Sequence, residues 1–64
     1  MDIKKILKEL NNNINSHLLK DHEKEYIDNA YKNIIYANRP AKPAEKRTLK
    51  KIYQLYLKRK LQNQ

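Results

Sequence analysis

Along the first 37 residues, apolar side chains recur at the spacing of two amphipathic helices. The first stripe follows the i, i+4, i+7, i+11, i+15 pattern and consists of Ile3, Leu7, Leu10, Ile14 and Leu18. It predicts a helix over residues 3–19, with Asp2 as its N-cap. The acidic run "DHEKE" suits a new helix N-terminus, so we expect a break near Lys20 and a second helix over 22–37. A single bent helix through this junction is the alternative.

The second half of the chain predicts a connector and a long helix. The stretch "NRPAKPA" contains two prolines, which favour an extended segment, and residues 38–43 are therefore a stiff connector. Pro43 suits the first turn of a third helix, which we expect over 44–61. The sequence thus predicts an all-α fold in one domain of residues 1–64. This domain is a compact three-helix unit, in which a helical hairpin ends in a long basic C-terminal helix.

The predicted third helix has two different faces. On a helical wheel, Leu49, Ile52, Tyr53 and Tyr56 share one arc. The other arc carries five cations: Lys46, Arg47, Lys50, Lys51 and Lys58. Like charges four residues apart destabilise a helix by about 0.2–0.5 kcal/mol per pair, and a merely solvated face would intersperse glutamates among them. We therefore favour a face that binds a polyanion, and a solvated face is the alternative.

The positive charge is concentrated in one part of the chain. Residues 1–38 carry six basic and six acidic groups, whereas residues 39–64 carry nine basic groups and a single acid, Glu45. The whole net charge of +8 therefore lies in the last 26 residues. A positive field on one side of a small domain attracts polyanions such as nucleic acids.

Tyrosine is the one aromatic residue type in the sequence. Four of the five tyrosines lie on or beside apolar stripes and are predicted to be structural: Tyr26, Tyr31, Tyr53 and Tyr56. Tyr36 projects from the opposite face of the second helix, one turn before Arg39 of the connector. An exposed aromatic ring beside basic groups can stack with an unpaired base, although a lone surface tyrosine needs no such explanation.

Several classes of function are excluded or disfavoured. A domain of 64 residues buries only about 60% of the surface of its unfolded chain, so there is no room for a deep catalytic cleft. The chain has no cysteine and no glycine, and hence no thiolate metal site and no glycine-rich phosphate loop. We interpret His17 as an edge-of-core residue and His22 as a residue of the helix junction. No enzymatic activity, cofactor, metal or small-molecule substrate is expected.

The sequence also bears on location. No apolar run approaches the roughly 20 residues that cross a bilayer, and the first ten residues, "MDIKKILKEL", are charged too often for a signal peptide. We therefore expect a cytoplasmic protein with no membrane partner, located in the host cytoplasm if a phage encodes it.

The run "EYIDNAYKNIIYANRPAKPAEKRTLKKIY", residues 25–53, resembles a family of small phage proteins. It is similar to the helix, proline connector and basic helix of the protein encoded beside the UvsW repair helicase in T-even-type phages. The resemblance implies a helical hairpin that binds single-stranded DNA during recombination and repair. This chain has no helicase motif, so the activity of the neighbouring helicase is not implied.

Four functional hypotheses follow. The first is a nucleic-acid-binding accessory protein that prefers single-stranded DNA and can work with a helicase or another replication or repair protein. The predicted binding residues are Tyr36, Arg39, Lys42, Lys46, Arg47, Lys50, Lys51 and Lys58. A variant is a helix-turn-helix reader with the third helix in a major groove, although the long connector argues against it.

The other two hypotheses belong to different classes. One is a small effector or inhibitor that docks on an acidic surface of a larger enzyme. It would use exposed apolar residues off the main stripes, for which Ile6, Leu19 and Leu55 are the candidates. The other is membrane-surface binding by the third helix, which the lack of Trp and Phe disfavours.

Overall fold

The computed structural model of the protein describes residues 2–62, which form three α-helices and contain no strand. Helix α1 spans Ile3–Asn12, α2 spans Asp21–Tyr31 and α3 spans Pro43–Gln62. A π-helical segment, Lys32–Tyr36, continues α2 for one turn. The all-α, three-helix fold predicted from the apolar periodicity is confirmed.

Helix α1 begins as predicted but ends earlier. The Asp2 carboxylate accepts a hydrogen bond from the backbone N–H of Lys4 at 3.1 Å, which makes Asp2 the N-cap. The predicted end at residue 19 is wrong, because the helix ends at Asn12. Four asparagines occur between residues 11 and 15, and asparagine side chains compete with the helix for backbone hydrogen bonds. Asn13 shows this competition directly, since its side-chain amide donates to the carbonyl of Glu9 at 2.8 Å.

Residues 13–20 form a loop rather than the last turns of a helix. Short-range hydrogen bonds hold it, including Ser16 N–H to the Asn13 carbonyl at 2.9 Å and Leu18 N–H to the Ser16 hydroxyl at 3.2 Å. Ile14 and Leu18 are still half-buried against the core, and Leu19 is buried. The loop therefore keeps the apolar pattern of the stripe without its helical geometry. It also excludes the alternative of one bent helix.

Helix α2 begins at Asp21, one residue before the predicted start, and buries Ile27 and Ala30. The following π segment buries Ile34 and closes with a hydrogen bond from Ala37 N–H to the Lys32 carbonyl at 3.0 Å. Asn38 then adopts a left-handed conformation with φ of 54°, which is a common way to end a helix. Because Pro40 follows, Arg39 is disfavoured from helical backbone angles and the chain leaves the helix axis.

Helix α3 returns along the domain as the second arm of a helical hairpin. The core contains residues of all three helices together with Leu19, and the largest fully buried side chains are Leu7, Leu10, Ile27, Ile34 and Leu49. Helix α1 packs against both α2 and α3, while α2 and α3 contact each other less closely. The domain measures 35 × 21 × 17 Å, so α3, at about 30 Å, runs along most of its length.

Candidate nucleic-acid interface

Helix α3 is fixed both at its start and in its rotation about its axis. Pro43 occupies the first position, and the Glu45 carboxylate accepts a hydrogen bond from Lys42 N–H at 3.0 Å. Leu49, Ile52 and Tyr56 are buried, so they determine which side of the helix faces the core. The opposite side must then face solvent, since successive residues are separated by about 100°.

The solvent side of α3 carries the five cations predicted from the sequence. We define the cationic face as the exposed residues Lys46, Arg47, Lys50, Lys51 and Lys58. From Arg47 to Lys58 this face extends about 16 Å along the helix axis. Two ion pairs are found among residues 2–62, and neither involves the cationic face. Its positive charge is therefore not neutralised by the protein in that part of the chain.

The connector end of the hairpin presents an exposed aromatic ring. The side chain of Tyr36 is 77% exposed, in agreement with the position that the helical wheel assigned to it. Its ring packs edge-on against that of Tyr31, with centroids 5.3 Å apart and an interplanar angle of 81°. This contact restrains the ring while most of its surface stays accessible.

Two further predicted cations lie beside this end of the hairpin. Arg39 and Lys42 are exposed, and they line a small crevice of about 110 Å³ together with Asn33, Pro40 and Glu45. The backbone N–H of Arg39 donates to the Asn33 carbonyl at 3.3 Å, which ties the connector to the π segment. Arg39 and Lys42 are thus held near the first turn of α3, where the cationic face begins.

The other tyrosines have structural positions, although to different degrees. Tyr56 is 4% exposed and belongs to the core, whereas Tyr26, Tyr31 and Tyr53 are half-buried against it. The Glu9 carboxylate raises the pKa of Tyr53, and burial adds to this effect.

Sequence reasoning missed a buried ion pair between Glu23 and Arg59. The two atoms Arg59 Nη1 and Glu23 Oε1 are 2.7 Å apart, and the two side chains are 24% and 4% exposed. Arg59 Nη1 also donates to the Leu18 carbonyl at 3.0 Å, and the same Glu23 oxygen accepts from Lys20 N–H at 2.8 Å. A glutamate in the third position of a helix that lacks a capping side chain is the local signal for the Lys20 contact. Nothing local indicates Arg59.

The electrostatics of this pair follow from burial and hydrogen bonding. Burial alone would raise the pKa of Glu23, but the hydrogen bonds from Arg59 and from the Lys20 backbone outweigh it. The pKa of Glu23 is therefore lowered from its ordinary value of 4.5. The carboxylate is charged at neutral pH, and its charge is balanced by Arg59 inside the domain.

Several other residues lie where the sequence did not predict them. Ile6 and Leu19, expected as exposed apolar residues, are both 3% exposed and belong to the core. They fall off the first helical stripe but contribute to a core that three elements surround. Leu55 is half-buried. These positions do not form the exposed apolar patch that docking on an enzyme would use.

The predicted position is wrong for one of the two histidines and correct for the other. His17 is exposed in the loop rather than at the edge of the core, because α1 ends before it reaches that position. His22 lies exposed in the first turn of α2, at the junction where it was predicted. Within residues 2–62, no cluster of three or more His, Cys, Asp or Glu side chains is placed to bind a metal, and no helix has the length and hydrophobicity to cross a membrane.

No protein-family model, no curated protein and no solved structure matches the chain.

Proposed function

We propose that this domain is a small accessory protein that binds nucleic acid, with a preference for single-stranded DNA. The observation that carries the proposal is the cationic face, five exposed basic side chains without an ion-pair partner among residues 2–62. A protein that neutralises phosphates with such groups releases condensed counterions, and this release favours binding without any base contact.

The preference for single strands is supported by the connector end of the hairpin. Tyr36 offers an accessible and restrained ring at the end of the hairpin that also carries Arg39 and Lys42, and base–aromatic stacking contributes about 1–3 kcal/mol per base. Paired bases in a duplex do not expose their faces to such a ring. A helix-turn-helix reader is disfavoured, because its two helices are joined by a turn of 3–4 residues, whereas residues 37–42 separate the π segment from α3.

The resemblance of residues 25–53 to the phage family adds a biological setting to the proposal. It supports a role in phage recombination or repair, beside a helicase or another replication or repair protein. Recovery of such a protein with the tagged domain, lost after nuclease treatment, would indicate that nucleic acid bridges the two. Recovery that resists nuclease would indicate direct contact.

The proposal is tested by binding measurements across a salt series. Labelled single-stranded DNA, duplex DNA and RNA of equal length are titrated with the protein at salt concentrations from about 50 to 200 mM. If four to seven cations meet phosphates, the logarithm of affinity for single strands should fall with that of salt concentration with a slope of about −3 to −5. A flat salt response would overturn the electrostatic mechanism. Tighter binding to duplex DNA would overturn the strand preference.

A further inference from the structure

A groove lies between the first turns of α2 and residues 48–59 of α3, two helices that contact each other less closely than either contacts α1. Its volume is about 640 Å³, within the range of about 300–1,000 Å³ that is typical of small-ligand sites. Its lining includes Lys20, Tyr26, Thr48, Lys51, Ile52 and Leu55. We call this site the α2–α3 groove.

The floor of the α2–α3 groove is apolar and accessible. Tyr26 and Leu55 are both half-buried, and Ile52, at 7% exposure, lines the same groove. Leu55 differs from its neighbour Leu57, because Leu57 packs against the core and Leu55 does not belong to that set among the described residues. Leu55 therefore contributes little to packing of the core, and the exposed part of the Leu55 side chain is available to a bound group.

The rim of the groove is positively charged. Lys20 and Lys51 are exposed, and the one carboxylate that lines the groove, Glu23, is already paired with Arg59 at 2.7 Å. Because that ion pair cancels its own charge, the two lysines determine the sign of the potential. An occupant with both a flat apolar part and a negative charge is complementary to this surface.

The α2–α3 groove is also continuous with the cationic face, since Lys51 belongs to both. We propose that the groove receives one unstacked base of a bound strand, with Tyr26 and Leu55 contacting the base and Lys51 and Lys20 the adjoining phosphates. The Thr48 hydroxyl, which donates to the Ala44 carbonyl at 3.0 Å, keeps its acceptor sites for a base amino group. This inference rests on the proposed function in one respect, because the cationic face is assumed to hold the rest of the strand. The base site in the groove does not depend on it.

A titration with a mononucleotide tests the groove separately from the strand. Deoxyadenosine monophosphate is added at millimolar concentration to the isotope-labelled full chain, and inorganic phosphate is the matched probe without a base. The nucleotide should shift the methyl signals of Ile52 and Leu55 and the Tyr26 ring signals. Inorganic phosphate should leave the methyl signals in place. Unshifted groove signals in a protein that still binds single strands would overturn the groove site and leave the proposed function standing.

The reverse result is equally informative. Groove signals that respond to the nucleotide in a protein with no affinity for any strand would retain the groove and overturn the proposed function. An acidic peptide that shifts these signals when the nucleotide does not would show that the groove docks protein, and would overturn the base site.

A pair of leucine variants links the groove to strand binding. Leu55→Ser removes apolar surface from the groove, and Leu61→Ser is the matched control at a position that is 72% exposed on the same helix. We expect Leu55→Ser to weaken binding of a strand of about eight nucleotides by about 5- to 30-fold with an unchanged salt slope, because base contacts release no counterions. Leu61→Ser should bind like the unmodified protein. Equal affinity of the two variants, with both folded, would contradict the proposal.

Discussion

At the scale of single residues, Glu23 connects three parts of the domain. Its carboxylate accepts from Arg59 of α3 and from Lys20 N–H at the start of α2, while Arg59 also holds the Leu18 carbonyl in the loop. A carboxylate that is 3% exposed is costly to leave unpaired. The stability of the loop and of the α2–α3 contact should therefore depend on this one side chain.

The first prediction follows from that arrangement. Glu23→Gln keeps an acceptor oxygen but removes the charge, so we expect it to lower the free energy of unfolding by about 1–2 kcal/mol. Glu23→Ala leaves Arg59 and Lys20 N–H without their partner and should cost about 3–5 kcal/mol. Urea denaturation measures both values. Asp28→Asn is the control, since the exposed Asp28–Lys32 pair at 3.1 Å should contribute less than about 0.5 kcal/mol. If Asp28→Asn and Glu23→Gln lower the free energy of unfolding equally, the burial of Glu23 is unimportant for stability.

The second prediction separates stacking from packing among the tyrosines. Tyr36→Ala removes one edge-on contact with Tyr31 and should cost about 0.5–1 kcal/mol of stability, but it should weaken single-strand binding by about 1–3 kcal/mol with the salt slope unchanged. Tyr56→Ala empties part of the core and should cost about 3–5 kcal/mol. Thermal melts and oligonucleotide titrations decide between these roles. A Tyr36→Ala protein that melts early and binds normally would refute the stacking role.

At the scale of the elements, the cationic face is the reason that we propose α3 as the main binding helix. The third prediction compares two triple variants with the same change in net charge. Changing Lys46, Lys50 and Lys51 to Gln should weaken single-strand binding and make the salt slope less steep by up to about 2, because each lost phosphate contact removes about 0.7. Changing Lys4, Lys5 and Lys8 of α1 to Gln should have a smaller effect. Equal losses in the two proteins would assign binding to the overall charge and not to α3.

The same α3 variant should be slightly more stable than the unmodified domain. The pairs Lys46 with Lys50 and Arg47 with Lys51 place like charges four residues apart, at a cost of about 0.2–0.5 kcal/mol each. Relief of this repulsion distinguishes loss of binding from loss of fold. A drop in the melting temperature of the α3 variant would contradict this reasoning.

The fourth prediction concerns the end of the π segment. Asn38 has φ of 54°, which glycine adopts without steric cost and which alanine resists. We expect Asn38→Gly to leave stability unchanged or raise it by up to about 1 kcal/mol, and Asn38→Ala to lower it by about 1 kcal/mol. In a domain of this size, each kcal/mol shifts the melting temperature by about 4–8 °C. Higher stability of Asn38→Ala than of Asn38→Gly would mean that the chain leaves the helix in another way.

At the scale of the whole molecule, the buried pair couples folding to pH. The pKa of Glu23 is lowered below its ordinary value of 4.5, so between the two values the unfolded chain binds more protons than the folded one. Stability from this group is fully present above pH 4.5 and is lost as the pH falls through the folded pKa.

The fifth prediction uses this sign. The difference in unfolding free energy between the unmodified protein and Glu23→Gln should be constant from about pH 5 to 8 and should shrink below about pH 4.5. The remaining, unchanged titratable groups contribute similarly in both proteins and largely cancel in the difference. Denaturation curves at a series of pH values measure it. A difference that stays constant down to about pH 3 would show that folding does not lower the pKa of Glu23.

The sequence by itself determined the features that depend on local periodicity and local backbone chemistry. The spacing of Leu49, Ile52 and Tyr56 was sufficient to orient α3 and therefore to place its cations on the solvent side. Helical spacing in the same way predicted that Tyr36 is exposed. The N-cap at Asp2 and the proline connector also follow from residues that act within a few positions of each other. The asparagine-rich segment could have predicted the end of α1, but the apolar stripe continues past it and favoured a longer helix.

The tertiary structure alone decided what joins distant parts of the chain. Glu23 and Arg59 are 36 positions apart, and only the packing of the α3 C-terminal half beside the loop brings them within hydrogen-bond distance. Ile6 and Leu19 lie off the helical stripe, yet elements on several sides bury them. Leu55 lines a groove to which both α2 and α3 contribute residues. Burial is a property of all the surrounding elements together, so a periodic pattern along one helix cannot determine it.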